Sequence, residues 1–129
     1  MAEPGAGFYP QQVPIDAYGN GGFRFAGLSH RGSLLCLPSG MQAWDVTLPE
    51  QVTIDSLARV FEVAEQLDVL LIGLGGDIAR LDPAVRAALK QQGVIVEAIA
   101  TGGAVRTYNV LLAEDRAVGA ALLAVENAR

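Results

Sequence analysis

Hydrophobic and polar positions change period several times along this chain. Residues 13–18 and 22–25 are short apolar stretches flanking Gly19-Asn20-Gly21, residue types that accept the positive φ angles of a tight reversal. They predict a β-hairpin. Residues 33–37 form an apolar run closed by Pro38, and Ser39-Gly40 turns the chain into residues 41–46, whose alternation predicts another strand. From residue 54 to residue 67 the period lengthens. Leu57, Val60, Phe61, Ala64 and Leu67 recur at spacings of three and four, with Thr53 or Asp55 placed to cap the start, which predicts one amphipathic helix.

Val69-Leu70-Leu71-Ile72-Gly73-Leu74 is apolar on both faces, the pattern of a strand covered on both sides, and is expected at the centre of a sheet. Asp82-Pro83 supplies a cap and a first-turn proline for a helix running through Leu89, and Gly93 supplies its left-handed stop. Residues 94–98 form a second apolar run, expected as a buried strand close enough to the first for a right-handed crossover in a parallel sheet. Thr101 is placed to cap a third helix, whose face of Ala104, Tyr108, Leu111 and Leu112 precedes Arg116 and the β-like run 117–125. Residues 1–12 mix Pro, Gly and Gln without a periodic apolar face and are read as a disordered arm before one α/β domain over residues 13–129.

Composition narrows the function classes. A chain of 129 residues, 51% hydrophobic and 18% charged, has the size and apolar content of one packed domain. Its formal charge of −5 opposes adsorption to nucleic acid or an anionic lipid surface. The longest apolar runs, residues 69–76 and 117–125, fall well short of the ~20 residues a membrane-spanning helix requires, so direct membrane insertion is not expected. The start shows neither a signal-peptide nor a transit-peptide pattern, which points to the cytoplasm. Cys36 has no second cysteine to pair with and sits among leucines, where a small buried hydrophobe is expected.

Candidate chemistry is sparse. Gly73-Leu74-Gly75-Gly76-Asp77 follows a strand as a dinucleotide-binding turn would, but Ile78 stands where the third glycine belongs and Asp77 would repel phosphate. Lys90 lies within a helix without a preceding glycine loop. His30, between Ser29 and Ser33, is read as part of a hairpin turn, and one histidine with one cysteine cannot make up a zinc site. Glu62, Glu65 and Asp68 fall on the polar side of the first helix. No catalytic residue, metal ligand or cofactor is assigned.

The most informative cluster is Arg106-Thr107-Tyr108-Asn109 with Glu114-Asp115-Arg116. It supports two readings. In one, Glu114 and Arg116 form a partly buried ion pair while Tyr108 or Asn109 satisfies backbone groups, holding the last strand in register. In the other, Thr101, Arg106, Tyr108, Asn109, Glu114 and Arg116 border a cleft for a ligand or a partner side chain.

Tyr18-Gly19, Gly22-Phe23-Arg24, Gly32-Ser33-Leu34-Leu35, Pro38 and Trp44 are arranged as in the Mth-type domain family. So are Leu71-Ile72-Gly73-Leu74-Gly75, the segment 93–97, Thr101, Ala104 and Arg106-Thr107-Tyr108-Asn109-Val110-Leu111 with Glu114 and Arg116. The chain resembles that family over residues 13–123. The resemblance implies a three-layer fold with a mixed central sheet, a last strand antiparallel to its neighbours, and an extra β-layer from the amino-terminal segment. It also implies a protein-interaction role with protein partners, since a mitochondrial member assists respiratory complex I assembly. The Ala-, Gly- and Arg-rich composition suits a bacterial member. Gly102-Gly103 departs from the family pattern, and at roughly 1 kcal/mol per helical glycine the third helix is expected to begin a turn late. The alternative function is small-molecule binding or catalysis at the carboxyl ends of the parallel strands, near residues 73–77 and 101–109.

Overall fold

The computed structural model describes residues 8–77 and 79–128. Its strands are β1 (Phe8–Tyr9), β2 (Ala17–Gly19), β3 (Gly22–Phe25), β4 (Leu28–Arg31), β5 (Ser33–Leu37), β6 (Gly40–Trp44), β7 (Val69–Gly73), β8 (Ile95–Ile99) and β9 (Val118–Leu122). Its α-helices are α1 (Ala58–Glu62), α2 (Pro83–Gln91) and α3 (Thr101–Ala113). Six strands form one sheet in the order β1-β6-β5-β9-β7-β8, and β2-β3-β4 form a second.

The amino-terminal hairpin follows from local chemistry. Gly19 pairs with Gly22, and Asn20 and Gly21 between them adopt φ of 52° and 77°, the left-handed pair that matches strand twist in a two-residue loop. Ala26 and Gly27 repeat the device at φ of 52° and 75°, so the stretch around His30, expected as a turn, is instead strand β4, with His30 opposite Phe23. Phe8 and Tyr9, expected in the unstructured arm, pair with β6. The rest of that arm, residues 1–7, lies outside the described residues.

The segment 54–67 is broken where one helix was expected. A 3₁₀ turn at Asp55–Leu57, the single α-turn of α1 and a second 3₁₀ turn at Ala64–Gln66 succeed one another. Leu57, Val60, Ala64 and Leu67 are nonetheless all buried. A 3₁₀ turn stacks residues three apart, so the spacing that marks an amphipathic helix is met equally by a tighter, interrupted coil. Val63, at φ −116° and ψ 14°, is the interruption. Thr53 does anchor its start, accepting from the Ser56 N–H at 3.1 Å while its own N–H donates to Ser56 Oγ at 2.9 Å. Asp82 caps α2 as its sequence implied, accepting from the Ala84 N–H at 2.9 Å.

The β7-α2-β8-α3-β9 unit is wound in two directions. The chain moves outward from β7 to β8 and then back past β7 to β9, and both pairings with β7 are parallel. Crossovers in opposite directions place their helices on opposite faces. Accordingly α2 and the 55–66 segment cover one apolar cluster, while α3 and the β2-β3-β4 sheet cover the other. The mixed three-layer arrangement is the expected one, and Phe23, Phe25 and Trp44 are buried within it. Strand β9 is antiparallel to β5 and parallel to β7, so the antiparallel relation expected of the last strand holds on one side only. Strand β8, expected to be buried, is the sheet's edge, and Ile95 is 69% exposed.

Two close approaches bind the layers. A Cβ at Gly73 would stand 2.9 Å from Thr101 Cα and 3.1 Å from Leu122 Cδ2, and one at Gly119 would stand 3.1 Å from Leu67 Cδ2. Because interiors at crystal-like density have no slack, Gly73→Ala is expected to lower unfolding free energy by about 1–3 kcal/mol, read by urea denaturation. An unchanged midpoint would show that α3 can retreat from the sheet.

Candidate functional site

The third helix organises the residues singled out by sequence, but in three separate places. At its first turn Thr101 is fully buried. Its hydroxyl accepts from the Gly75 N–H at 3.1 Å and donates to the Leu123 carbonyl at 2.7 Å, and its own N–H donates to the Gly75 carbonyl at 2.9 Å. Ala100, not Thr101, occupies the cap position. Thr101 is therefore a clamp across the ends of β7 and β9, and it holds α3 in register from that residue onward. The late start expected from Gly102-Gly103 does not occur, since a clamp at the first helical residue outweighs a propensity cost that is small at a helix end. Gly103 also answers a packing demand, as its Cβ would stand 3.2 Å from Ile99 Cδ1.

At the middle of α3, Tyr108 is fully buried and Asn109 half-buried. The Tyr108 hydroxyl donates to the Val13 carbonyl at 2.8 Å. Asn109 meets Ile15 twice, accepting from its N–H and donating to its carbonyl, each at 2.8 Å. Gln12 completes the strap by donating from Nε2 to the Val118 carbonyl at 2.7 Å. The backbone groups that Tyr108 and Asn109 satisfy belong to the chain leading into β2, and only Gln12 reaches the last strand.

At the far end, Glu114, Asp115 and Arg116 are exposed, and no ion pair joins Glu114 to Arg116 among the described residues. They form a helix stop. Asp115 adopts φ 58°, and the Arg116 and Asp115 N–H groups return to the Leu111 and Leu112 carbonyls at 3.0 Å each, the paired bonds of a Schellman ending. The expected partly buried pair fails because a left-handed ending turns both side chains to solvent.

Of the six residues, Arg106 borders an open cavity, about 160 Å³ in volume, together with Tyr18, Gly75, Gly76, Gly102 and Val125. It lies at the carboxyl ends of β7 and β8, where α/β sheets hold ligands. A larger hollow of about 500 Å³ lies beside β6 and α1, lined by Trp44, Asp45, Val46, Gln51, Ser56 and Arg59. Trp44 Nε1 donates to the Ser56 carbonyl across it at 2.7 Å. Sequence reasoning missed this hollow because its walls come from segments that look like an ordinary strand and helix. The one legible hint was an indole, whose N–H requires a partner.

The remaining polar candidates serve the frame. His30 Nε2 contacts the Ser33 carbonyl at 2.9 Å, and Ser33 Oγ accepts from the Ala124 N–H at 3.1 Å. No group of three or more His, Cys, Asp or Glu side chains could hold a metal ion among the described residues. Burial pushes the Cys36 thiol well above its ordinary range, slightly relieved by a hydrogen bond with Tyr108. Burial, and then proximity to Cys36, raises the Tyr108 phenol likewise.

A mixed six-stranded sheet, helices on both faces and a small sheet laid over one of them define an α/β domain with the Mth938-like fold. A Bordetella pertussis protein described as a Mth938-like domain matches at a TM-score of 0.78 and 27% identity, over 99% of this chain and 93% of that one. A crystal structure described as an outer membrane protein from Bartonella henselae matches at a TM-score of 0.87 and 52% identity, over 92% of this chain and 99% of that one. Residues 15–123 match the family described as a protein of unknown function (DUF498/DUF598), and the chain belongs to that family. An uncharacterized protein of Rhodobacter capsulatus is 43% identical over 126 residues, covering 98% of this chain and 94% of that protein. NADH dehydrogenase (ubiquinone) 1 alpha subcomplex assembly factor 3 of Mus musculus is 33% identical over 115 residues, covering 89% of this chain and 62% of that protein. The chain thus spans less than two thirds of the mouse protein's length.

Thr101→Val keeps the shape of the clamp while leaving the Gly75 N–H and the Leu123 carbonyl without their hydroxyl partner. A loss of about 1–3 kcal/mol is expected by denaturant unfolding, and a loss below a few tenths would show that Thr101 is not a clamp. The buried thiol carries a pH signature. With its folded pKa raised above the ordinary 9.0, the unfolded chain releases the proton first. The contribution of Cys36 to stability is therefore unchanged below pH 9 and falls as pH rises beyond it, and Tyr108 adds to the fall above its ordinary 10.0. Cys36→Ala is expected to flatten the onset of this alkaline slope, whatever its effect at neutral pH; an identical slope would contradict the assignment.

Proposed function

We propose that this chain is a non-catalytic assembly or protein-interaction factor that supports respiratory complex I biogenesis. The observation that carries the reading is its relationship, over 89% of its length, to an assembly factor for NADH dehydrogenase. The geometry supports it. Thr101, Tyr108 and Asn109 are engaged with backbone in the interior, so they act by holding a surface in shape. Arg106, Glu114 and Arg116 lie on the exterior, where partner contacts form. No helix among the described residues is long and apolar enough to cross a membrane, and on this reading the protein works from the cytoplasm, peripheral to the inner membrane and held there by a partner.

One observation favours a second reading. The cavity of about 160 Å³ beside Arg106 occupies the place where a small molecule would bind at the strand carboxyl ends. A ligand held there at a hundred times its dissociation constant would add about 2.7 kcal/mol of stability, which a metabolite-library thermal-shift screen detects.

The assembly reading is tested by deleting the gene in its host and resolving membranes on native gels. A severalfold loss of assembled complex I, restored by the wild-type gene, is expected. Normal amounts of the complex in the deletion strain would overturn it.

A further inference from the structure

The six-stranded sheet ends in two different edges. Strand β1 has two residues and offers little backbone to pair with. Strand β8 has five and, among the described residues, pairs only with β7. Parallel pairing bonds alternate residues to one neighbour, and here the Ile95 N–H reaches the Asp68 carbonyl and the Ile99 carbonyl accepts from Leu74. Residues 95, 97 and 99 therefore face β7 with their backbone groups, and Val96 and Ala98 face outward. A free, regular edge of this kind is a template for another strand. Ile95 and Ile99 stand exposed along it, and a cleft of about 300 Å³ opens beside Ala98 and Ile99.

The outward groups are not all open. Arg86 reaches from α2 around the edge, and its Nη1 donates to the Val96 carbonyl at 2.6 Å. The Val94 N–H, one pairing position earlier, is turned back onto the Leu89 carbonyl at 3.0 Å. Both contacts come from α2 or its end. They occupy the first half of the edge, while no strand pairs with the Ala98 N–H or carbonyl among the described residues. An incoming strand needs several consecutive backbone groups, and a charged side chain seated on the middle carbonyl removes the register while placing a cation in its path.

We propose that Arg86 is an edge guard, a side chain that keeps β8 from pairing with β8 of a second copy of this chain. A second copy is the occupant the edge fits, because it presents the same Val96 N–H, the same Ala98 groups and the same exposed isoleucines, and once Arg86 leaves the Val96 carbonyl, antiparallel pairing about a twofold axis makes such an edge self-complementary. The inference is independent of the assembly role.

The test compares the wild-type chain with Arg86→Gln, which keeps helix propensity but is too short to reach Val96, by sedimentation equilibrium across a wide concentration range. Self-association at least about tenfold tighter than wild type is expected. Adding Ala98→Pro, tolerated on an edge where the N–H faces solvent, should return it to the wild-type level. Amide exchange at Ala98 provides a second readout, with protection rising with concentration in Arg86→Gln alone. Equal association of wild type and a folded Arg86→Gln would overturn the proposal. So would association that Ala98→Pro leaves intact, since that would come from the exposed isoleucines and not from the strand edge. If Arg86→Gln does not fold, Arg86→Lys, with one compact donor in place of the fork, is expected to show an intermediate gain, and no gain there would count equally against it.

Discussion

Strand β9 lies where two kinds of pairing meet, antiparallel on the β5 side and parallel on the β7 side, and it is buried on both faces along its whole length. A strand in that position cannot carry bulky side chains throughout, because α3 presses on one face and the residues around Leu67 on the other. Its sequence is accordingly Val-Gly-Ala-Ala-Leu, and at Gly119 even a methyl group would crowd Leu67 and the Cys36 carbonyl. The single hydroxyl of Thr101 locks this strand's end to β7. The parallel half, the antiparallel half and the helix between them share that junction.

The same economy of space explains why the polar residues of α3 are so deeply engaged. A tyrosine at a buried helix position needs a partner for its hydroxyl, and the Val13 carbonyl provides it. An asparagine one residue on is aimed at the same segment, where it mimics a strand neighbour by bonding both backbone groups of Ile15. Together with Gln12 on β9, these bonds carry the chain across the helix and deliver β2 to its place. A signature that reads as functional in a linear string is here the fastening between an amino-terminal layer and a carboxyl-terminal helix about ninety residues away in the chain. What it holds steady is the exterior, and the assembly reading is a statement about that exterior.

Local chemistry was legible wherever one residue type meets one backbone demand. Asn20-Gly21 announced a hairpin, Asp82-Pro83 a helix start and Gly93 its end, because positive φ, a free first-turn N–H and a missing Cβ each have few solutions. The buried positions between residues 54 and 67 were legible too, though not the broken coil that presents them, since spacings of three and four do not distinguish 3₁₀ from α geometry. The candidate-site residues are neighbours in the chain but not in space. Thr101, Tyr108 and Arg116 share one helix and its end in sequence, yet face the strand ends, the amino-terminal strap and solvent.

The chain by itself determined that strands and helices would alternate after residue 69, that a hairpin layer would precede them, and that Cys36 would go inside. Each follows from a property of neighbouring residues: periodicity, turn propensity or apolar side chains without a polar alternative. Only the tertiary structure decided that β9 would slip between β5 and β7, leaving β8 as the edge, and that Arg86 would reach that edge. Those outcomes depend on which segments distant in the chain lie side by side, and no local preference encodes a neighbour that arrives dozens of residues later.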